Sequence, residues 1–398
     1  SPIPTKVVVF RDAASFHPFK PLLDDGKIDA AVTGYFLTGE TENYIALSVG
    51  DQAQALPTIF HEYTHFLVNN NIGDASVPPW FNEGLAEYYS TLKIENEQTI
   101  ALGAPPAGYQ LLLAAAKPIP ADVFFNTDNY TLNQQSDESA QLFYAQSWAL
   151  MHYLLNSGDG ARRKQVAVFL DLVMNGRPAR EAFADAFLLD FAAAEKELKK
   201  YVEGGRFEPV RIALKQKLPA QSEIKSAPLG EAEAQTHLAE MLLNFGRVEE
   251  AEKLVERALA LNPNSSQAHV ALGRVRTNQG KTEEADKLLE KAVRLDSNNF
   301  LAHFHYAENL SRSGMSEFGF VENYPTALAE KMRASLKKSV ALNQNFAPAY
   351  ELYAFIGAAR GDNLDESVEY LNRALKLAPG NQRYLIRMAE LLMWKHDF

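Results

Sequence analysis

Three glycines, Gly246, Gly280 and Gly314, stand 34 residues apart in the second half of this 398-residue chain. Ala251 and Ala285 repeat at that spacing, and so do Ala258 and Ala292. A period of this length suits two helices joined by a tight turn, with glycine at the turn and small residues where the helices pack closely. One such pair cannot bury its apolar face alone, whereas stacked neighbours can. The period therefore predicts an all-α solenoid. Asn262-Pro263-Asn264 and Ala378-Pro379-Gly380 close two of the repeats, and Gly361-Asp362-Asn363 with Ala374 marks a fourth, one residue longer. The third is stretched by about thirteen residues around 315–325, read as a protruding loop. Residues 382–395 read as a capping helix, although Leu391, Leu392, Met393 and Trp394 leave it rather apolar.

The first half carries a different signal. In His61-Glu62-Tyr63-Thr64-His65 the histidines are four residues apart, which on a helix places both imidazoles on one face, one turn apart, where they can share a metal. Glu62 lies between them, placed to act as general base toward a water at the metal. Catalytic zinc takes three protein ligands. Glu83, after seventeen further residues, is the natural third. Apolar residues surround the first motif at helical spacing, and Pro57 is expected in the first turn of its helix. A helix end is read at 69–73. Pro78-Pro79 breaks the chain, so Trp80 begins a separate helix that can pack across the first.

H-E-x-x-H followed by Trp80-Phe81-Asn82-Glu83-Gly84-Leu85-Ala86-Glu87-Tyr88 resembles the gluzincin metallopeptidases. The wording is nearest to the aminopeptidase-N-type enzymes and the peptidase-MA-like domains of bacteria. The resemblance covers roughly residues 30–156. It implies one zinc ion held by His61, His65 and Glu83, with Glu62 as the catalytic base. It also implies an oxyanion donor from a downstream helix. Residues 142–155 form a strongly amphipathic stretch similar to that tyrosine-bearing helix, so Tyr144 is the first choice and His152 the second. Simple packing against the motif helix is the alternative for both.

Ligating histidines need outer partners that orient their rings. Glu87, one turn beyond Glu83, can accept a proton from the outer nitrogen of His61 or His65, as a similarly placed acid does in thermolysin-like gluzincins; otherwise it is a solvated helix charge. Asn82 is a further outer-shell candidate. Residues 6–10, 31–37 and 44–49 read as strands, with a hairpin loop at 38–43. Gluzincins use such a small mixed sheet, and its edge strand holds extended substrate, which assigns substrate binding to Tyr35 and Phe36, with core packing as the other reading. The aminopeptidase branch has G-x-M-E-N on this strand, where this chain has Gly34-Tyr35-Phe36-Leu37-Thr38. That departure favours an endopeptidase.

The expected architecture is α+β: a gluzincin-type metallopeptidase domain over 1–215, with a small mixed sheet plus helices, and a polar, proline-containing linker over 216–231. An all-α tetratricopeptide-repeat solenoid, named for its 34-residue period, follows over 232–398, with about four repeats plus the capping helix. Within the first domain, 165–174, 180–187 and 191–201 read as helices. A net charge of −11 argues against nucleic acid as a partner. No run of eighteen apolar residues encodes a membrane span. The absence of cysteine excludes disulfides and thiolate metal sites. A periplasmic or secreted location is favoured over a cytoplasmic one. The leading expectation is a zinc-dependent peptidase that uses a metal-activated water, with a peptide or protein substrate and a protein partner in the repeat groove. The alternatives are a repeat-based interaction scaffold with an idle peptidase-like domain, and a zinc hydrolase of non-peptide substrates. His303 and His305, within the third repeat, read as packing or surface residues.

Overall fold

The computed structural model describes residues 3–395, apart from 24, 31, 40, 49–51, 73–76, 134–135, 161, 219–226, 315–320 and 322–323. The chain forms two compact units. One comprises Ser1–Val32, Phe36–Gly50 and Ser226–Phe398, the other Thr33–Tyr35 and Asp51–Lys225.

The N-terminal segment supplies β1 (Thr5–Phe10), a short helix α1 (Ala13–Phe16), β2 (Gly34–Leu37) and β3 (Asn43–Ser48). Asp12 starts α1 with a reciprocal cap: its carboxylate accepts from the Ser15 amide, and the Ser15 hydroxyl accepts from the Asp12 amide. The sheet order is β1-β3-β2, with β1 parallel to β3 in register from Thr5 opposite Asn43 to Phe10 opposite Ser48.

Residues 51–225 are mainly helical. They form α2 (Gln52–Ile72), α3 (Pro79–Ser90), α4 (Tyr109–Ala115), α5 (Ala121–Phe124), α6 (Asn129–Asn133), α7 (Asp137–Asn156), α8 (Arg163–Met174), α9 (Ala179–Phe187) and α10 (Phe191–Glu203). Helix α2 starts early enough that Pro57 lies inside it rather than in its first turn. It closes at Ile72, and Gly73 falls outside the described residues. A second sheet was not anticipated: β4 (Lys93–Asn96) and β5 (Thr99–Leu102) form a hairpin, and β6 (Val210–Ala213) joins β5 antiparallel. The core of this unit is aromatic. Trp80 and Phe81 are fully buried among Phe125, Phe169 and Phe183.

The remaining helices come in pairs: α11 (Glu231–Asn244) with α12 (Val248–Leu261), α13 (Ser266–Asn278) with α14 (Thr282–Leu295), α15 (Phe300–Arg312) with α16 (Thr326–Leu342), and α17 (Ala347–Arg360) with α18 (Leu364–Leu377). Helix α19 (Gln382–Lys395) follows. Gly246 and Gly280 occupy the turns with φ of +73° and +74°, where a Cβ would strain the backbone. Ala251, Ala258, Ala285 and Ala292 are fully buried between helices. Most of the expected loop at 315–325 lies outside the described residues. Its end is anchored by Tyr324, whose buried hydroxyl donates to the Ser311 carbonyl at 2.9 Å. His303 and His305 are packing residues: both are buried, and His305 bonds Glu308 at 2.8 Å.

The expected domain boundary needs correction at the N-terminus. Apart from Thr33–Tyr35, residues up to Gly50 group with the repeats rather than with residues 51–225. The physical reason is a buried polar network between the first sheet and α11. The Lys6 ammonium lies 2.7 Å from Glu42 and 3.1 Å from Glu240 of α11. The buried Tyr44 hydroxyl donates to Glu42 at 3.0 Å, and Asn244 donates to the Glu42 carbonyl at 3.4 Å. Phe19 packs on the cluster containing Leu242 and Leu243. A lysine at 6 and a glutamate at 240 carry no local signal of being partners. At the other boundary, Leu214 and Leu218 donate backbone bonds to Gln98 and Glu97, so the chain stays attached to the second sheet past 216. Of the expected linker, 219–226 lie outside the described residues.

Candidate metal centre

Pro78 holds the extended conformation that suits an N-cap, and Pro79 occupies the first helical position of α3. With Trp80, Phe81, Gly84 and Tyr88 turned into the core, helical geometry leaves Glu83 and Glu87 together on the other side. That side meets His61 and His65 of α2. The two imidazole Nε2 atoms are 3.0 Å apart, and each lies 3.4 Å from Glu83 Oε2. Three ligands at zinc distances of about 2.0–2.1 Å in tetrahedral array would stand about 3.3 Å from one another, so the triangle has the size that zinc requires. Among the described residues, His61, His65 and Glu83 form the group of three that could hold a metal ion. All are largely enclosed, each with less than a fifth of its side chain exposed.

Each histidine has its own outer neighbour. His61 Nδ1 is 3.3 Å from Glu87 Oε1. Asn82 lies against His65 and favours its protonated form, while His65 Nδ1 and Asn82 Oδ1 are both buried without a well-formed hydrogen bond. A small rotation would pair these two orphans, fixing His65 with Nε2 free for a metal. Burial opposes protonation of His61, but hydrogen bonds and charge from Glu83 and Glu87 prevail and raise it to about 10. Burial likewise opposes ionisation of Glu83, yet the two histidines bring it down to about 2. The metal-free cluster is thus an imidazolium–carboxylate assembly whose donors all accept a divalent cation once the ring protons leave.

Glu62, on the exposed side of α2, faces away from the core. Tyr144 of α7 is half-buried; burial first, then the charges of Glu83, Glu87 and Glu62, raise its phenol above the usual range and keep it a hydrogen-bond donor. Sequence reasoning missed Tyr109 at the start of α4. Burial first, and then the nearby charge of Glu87, push its ionisation up. His152, the second choice for the oxyanion, belongs elsewhere. It is buried against Trp148 and Phe207, its Nδ1 is 2.7 Å from the Tyr201 hydroxyl, and burial lowers it to about 4. Helix α7 is buried on every side from Ala145 to Leu154, and His152 stands two turns, about 12 Å along the axis, beyond Tyr144. Tyr35 is buried and Phe36 half-buried on β2, which is an edge strand.

Gly84 explains the glycine of the N-E-G segment. A Cβ there would sit 2.5 Å from the Ser147 carbonyl and 2.6 Å from Met151 Cγ, so α3 and α7 touch backbone to backbone beside the histidine–glutamate cluster.

The family model of the tetratricopeptide repeat matches residues 242–303. The C-terminal region is a tetratricopeptide-repeat array. Residues 55–178, which include the whole candidate centre, match a family described as a protein of unknown function (DUF1570). No curated protein matches the chain. Among solved structures, Pseudomonas aeruginosa pilF is 21% identical, over 42% of this chain and 70% of its own, with a TM-score of 0.36. YrrB, a TPR protein with an unusual peptide-binding site, is 19% identical over 42% and 78%, at 0.33. The first TPR of Spaghetti (RPAP3), bound to an HSP90 peptide, is 19% identical over 33% and 94%, at 0.29. Tetratricopeptide repeats bind proteins or peptides, and none of the described helices is long and apolar enough to cross a membrane.

Proposed function

We propose that this chain is a zinc-dependent peptidase of the gluzincin type, acting as an endopeptidase, whose repeats recruit the substrate or a protein partner. The observation that carries this reading is the Nε2–Nε2–Oε2 triangle of His61, His65 and Glu83, with edges of 3.0, 3.4 and 3.4 Å. Zinc, when bound there, supplies Lewis-acid polarisation. His61, His65 and Glu83 hold it, and Glu87 and Asn82 orient the rings. Glu62 takes a proton from the attacking water and passes it to the amine nitrogen as the C–N bond breaks. The Tyr144 hydroxyl donates to the oxygen on which negative charge develops. Tyr109 lies close enough to Glu87 to feel its charge. The intact set of all these groups argues for use rather than relic.

The test pairs metal analysis with turnover. Purified protein should carry one zinc per chain, lost in His65→Ala. Glu62→Gln should keep the zinc and lose essentially all hydrolysis of a peptide library. A metal content far below one per chain refutes the centre itself.

A second reading rests on the tetratricopeptide match, which supports protein interaction independently of any chemistry. In it the chain is a scaffold and the peptidase-like unit is idle. Zinc-loaded wild type that cleaves neither peptides nor esters nor other amides would favour this reading, and cleavage of esters or amides other than peptides would mark a hydrolase of non-peptide substrates.

A further inference from the structure

We propose that the outer face of α19 is a self-association surface, on which the α19 of a second copy of this chain packs antiparallel about a two-fold axis. This rests on the repeat array alone and is independent of any hydrolytic activity.

Register identifies the face. The eighth residue of α13, α15 and α17 is Gly273, Ala307 and Ala354, and each is buried. At this place the second helix of a pair presses closest: a Cβ on Gly273 would meet Leu289 of α14 at 2.6 Å. The eighth residue of α19 is Ala389, and it is exposed. One turn to either side lie Leu385 and Met393, at 51% and 61% exposure. Their equivalents on α17, Tyr350 and Ala358, are 8% and 6% exposed, and Tyr350 is covered by Tyr370 of α18 at 5.4 Å. Ile386, 61% exposed, widens the stripe. Helix α19 thus shows to solvent the apolar face that each preceding repeat covers with its own second helix, and among the described residues no such helix follows it.

The occupant follows from symmetry and charge. The helices of a repeat pair run antiparallel, joined by a tight turn. Two α19 helices related by a two-fold axis near Ala389 are also antiparallel, so each can lie on the other where a second helix lies in the preceding repeats. The small side chain of Ala389 permits the same close crossing. A chain of net charge −11 should repel its copy, yet the charges flanking this stripe are neutralised within their own chain. Arg383 pairs with Glu351 at 3.0 Å, Arg387 with Glu390, and Lys395 with Asp365 at 2.8 Å. The face is therefore both apolar and locally neutral, as a self-complementary contact requires. A helix of this length spans about 21 Å, so the interface lies at the small end and the dimer should be of micromolar affinity.

Sedimentation of the full chain through the micromolar range tests this. Wild type should pass from monomer to dimer, and the double variant Ile386→Glu/Met393→Glu should stay monomeric with an unchanged circular dichroism spectrum. The chain has no cysteine, so single introduced thiols give a clean second readout. Ala389→Cys should form a covalent dimer on mild oxidation, and Leu261→Cys, on an exposed position of α12, should not. Wild type that stays monomeric throughout, a double variant that still dimerises, or equal cross-linking at both thiols overturns the proposal. The first result would reassign the stripe to a different partner.

Discussion

Replacing Gly84 by alanine tests the link between helix packing and the metal centre. The new Cβ would lie 2.5 Å from the Ser147 carbonyl oxygen and 2.9 Å from its carbon, where ordinary contact begins at 3.4 Å. The deficit at the oxygen, 3.4 − 2.5, is 0.9 Å. Met151 can rotate aside, but the α7 backbone cannot, so α3 must shift. Overpacking of this kind costs about 1–3 kcal/mol, and a backbone obstacle puts Gly84→Ala near the top of that range. Alanine's better helix propensity returns about 1 kcal/mol, leaving a net loss of about 2 kcal/mol. The shift also moves Glu83, the adjacent residue, relative to α2. Zinc affinity should therefore fall by about 10–100-fold, the size of effect seen when a ligand's support is lost. Tryptophan fluorescence reads the right unit, because Trp80 and Trp148 are fully buried near this crossing and Trp394 is already 55% exposed. Urea unfolding of the metal-free protein should show a lower midpoint at unchanged slope. An unchanged midpoint together with unchanged zinc affinity would falsify the claim that α3 and α7 leave no room there.

Three further outcomes are expected. Asn82→Ala and Glu87→Ala should each weaken zinc binding about 10–100-fold in a chelator competition, and equal affinity to wild type would remove them from the outer shell. Tyr144→Phe should lower kcat by about 10²–10³ with zinc content unchanged, and an unaltered kcat would take the oxyanion role from it. His152 is lowered from 6.5 to about 4 by burial, so between those pH values the unfolded chain binds a proton that the native one refuses. Its contribution is fully present above pH 6.5 and falls by about 3 kcal/mol as pH drops to about 4. Urea midpoints of His152→Gln should depend less on pH across that window than those of wild type, and parallel curves would refute the assignment.

What could be read in sequence was local. The i, i+4 spacing of His61 and His65 places them on one helical face whatever surrounds them, and the 34-residue recurrence of glycine and alanine marks helix pairs because each unit obeys the same close-packing demand. The helices at 163–174, 179–187 and 191–203 likewise follow from apolar periodicity and from breaks at Gly176 and Asp190. Glu83 was legible through the wording around it, and Tyr144 only through its helix.

Tertiary structure decided which faces meet. His152 shares α7 with Tyr144 yet turns to Tyr201, because two helical turns carry it about 12 Å along the axis into a buried aromatic cluster. Tyr109 acquires its role by meeting Glu87, a residue on a different helix. Strand β6 pairs with β5 across more than a hundred residues, and Lys6 finds Glu240 across 234. Side-chain periodicity specifies an element and its buried face, but the partner of that face depends on chain reversals and shape complementarity that no local window contains. The sequence by itself therefore marked His61, His65 and Glu83 as a candidate metal triad and determined a helical-repeat array, whereas folding alone decided that β1 and β3 join the repeats, through buried charges that are stable only when paired.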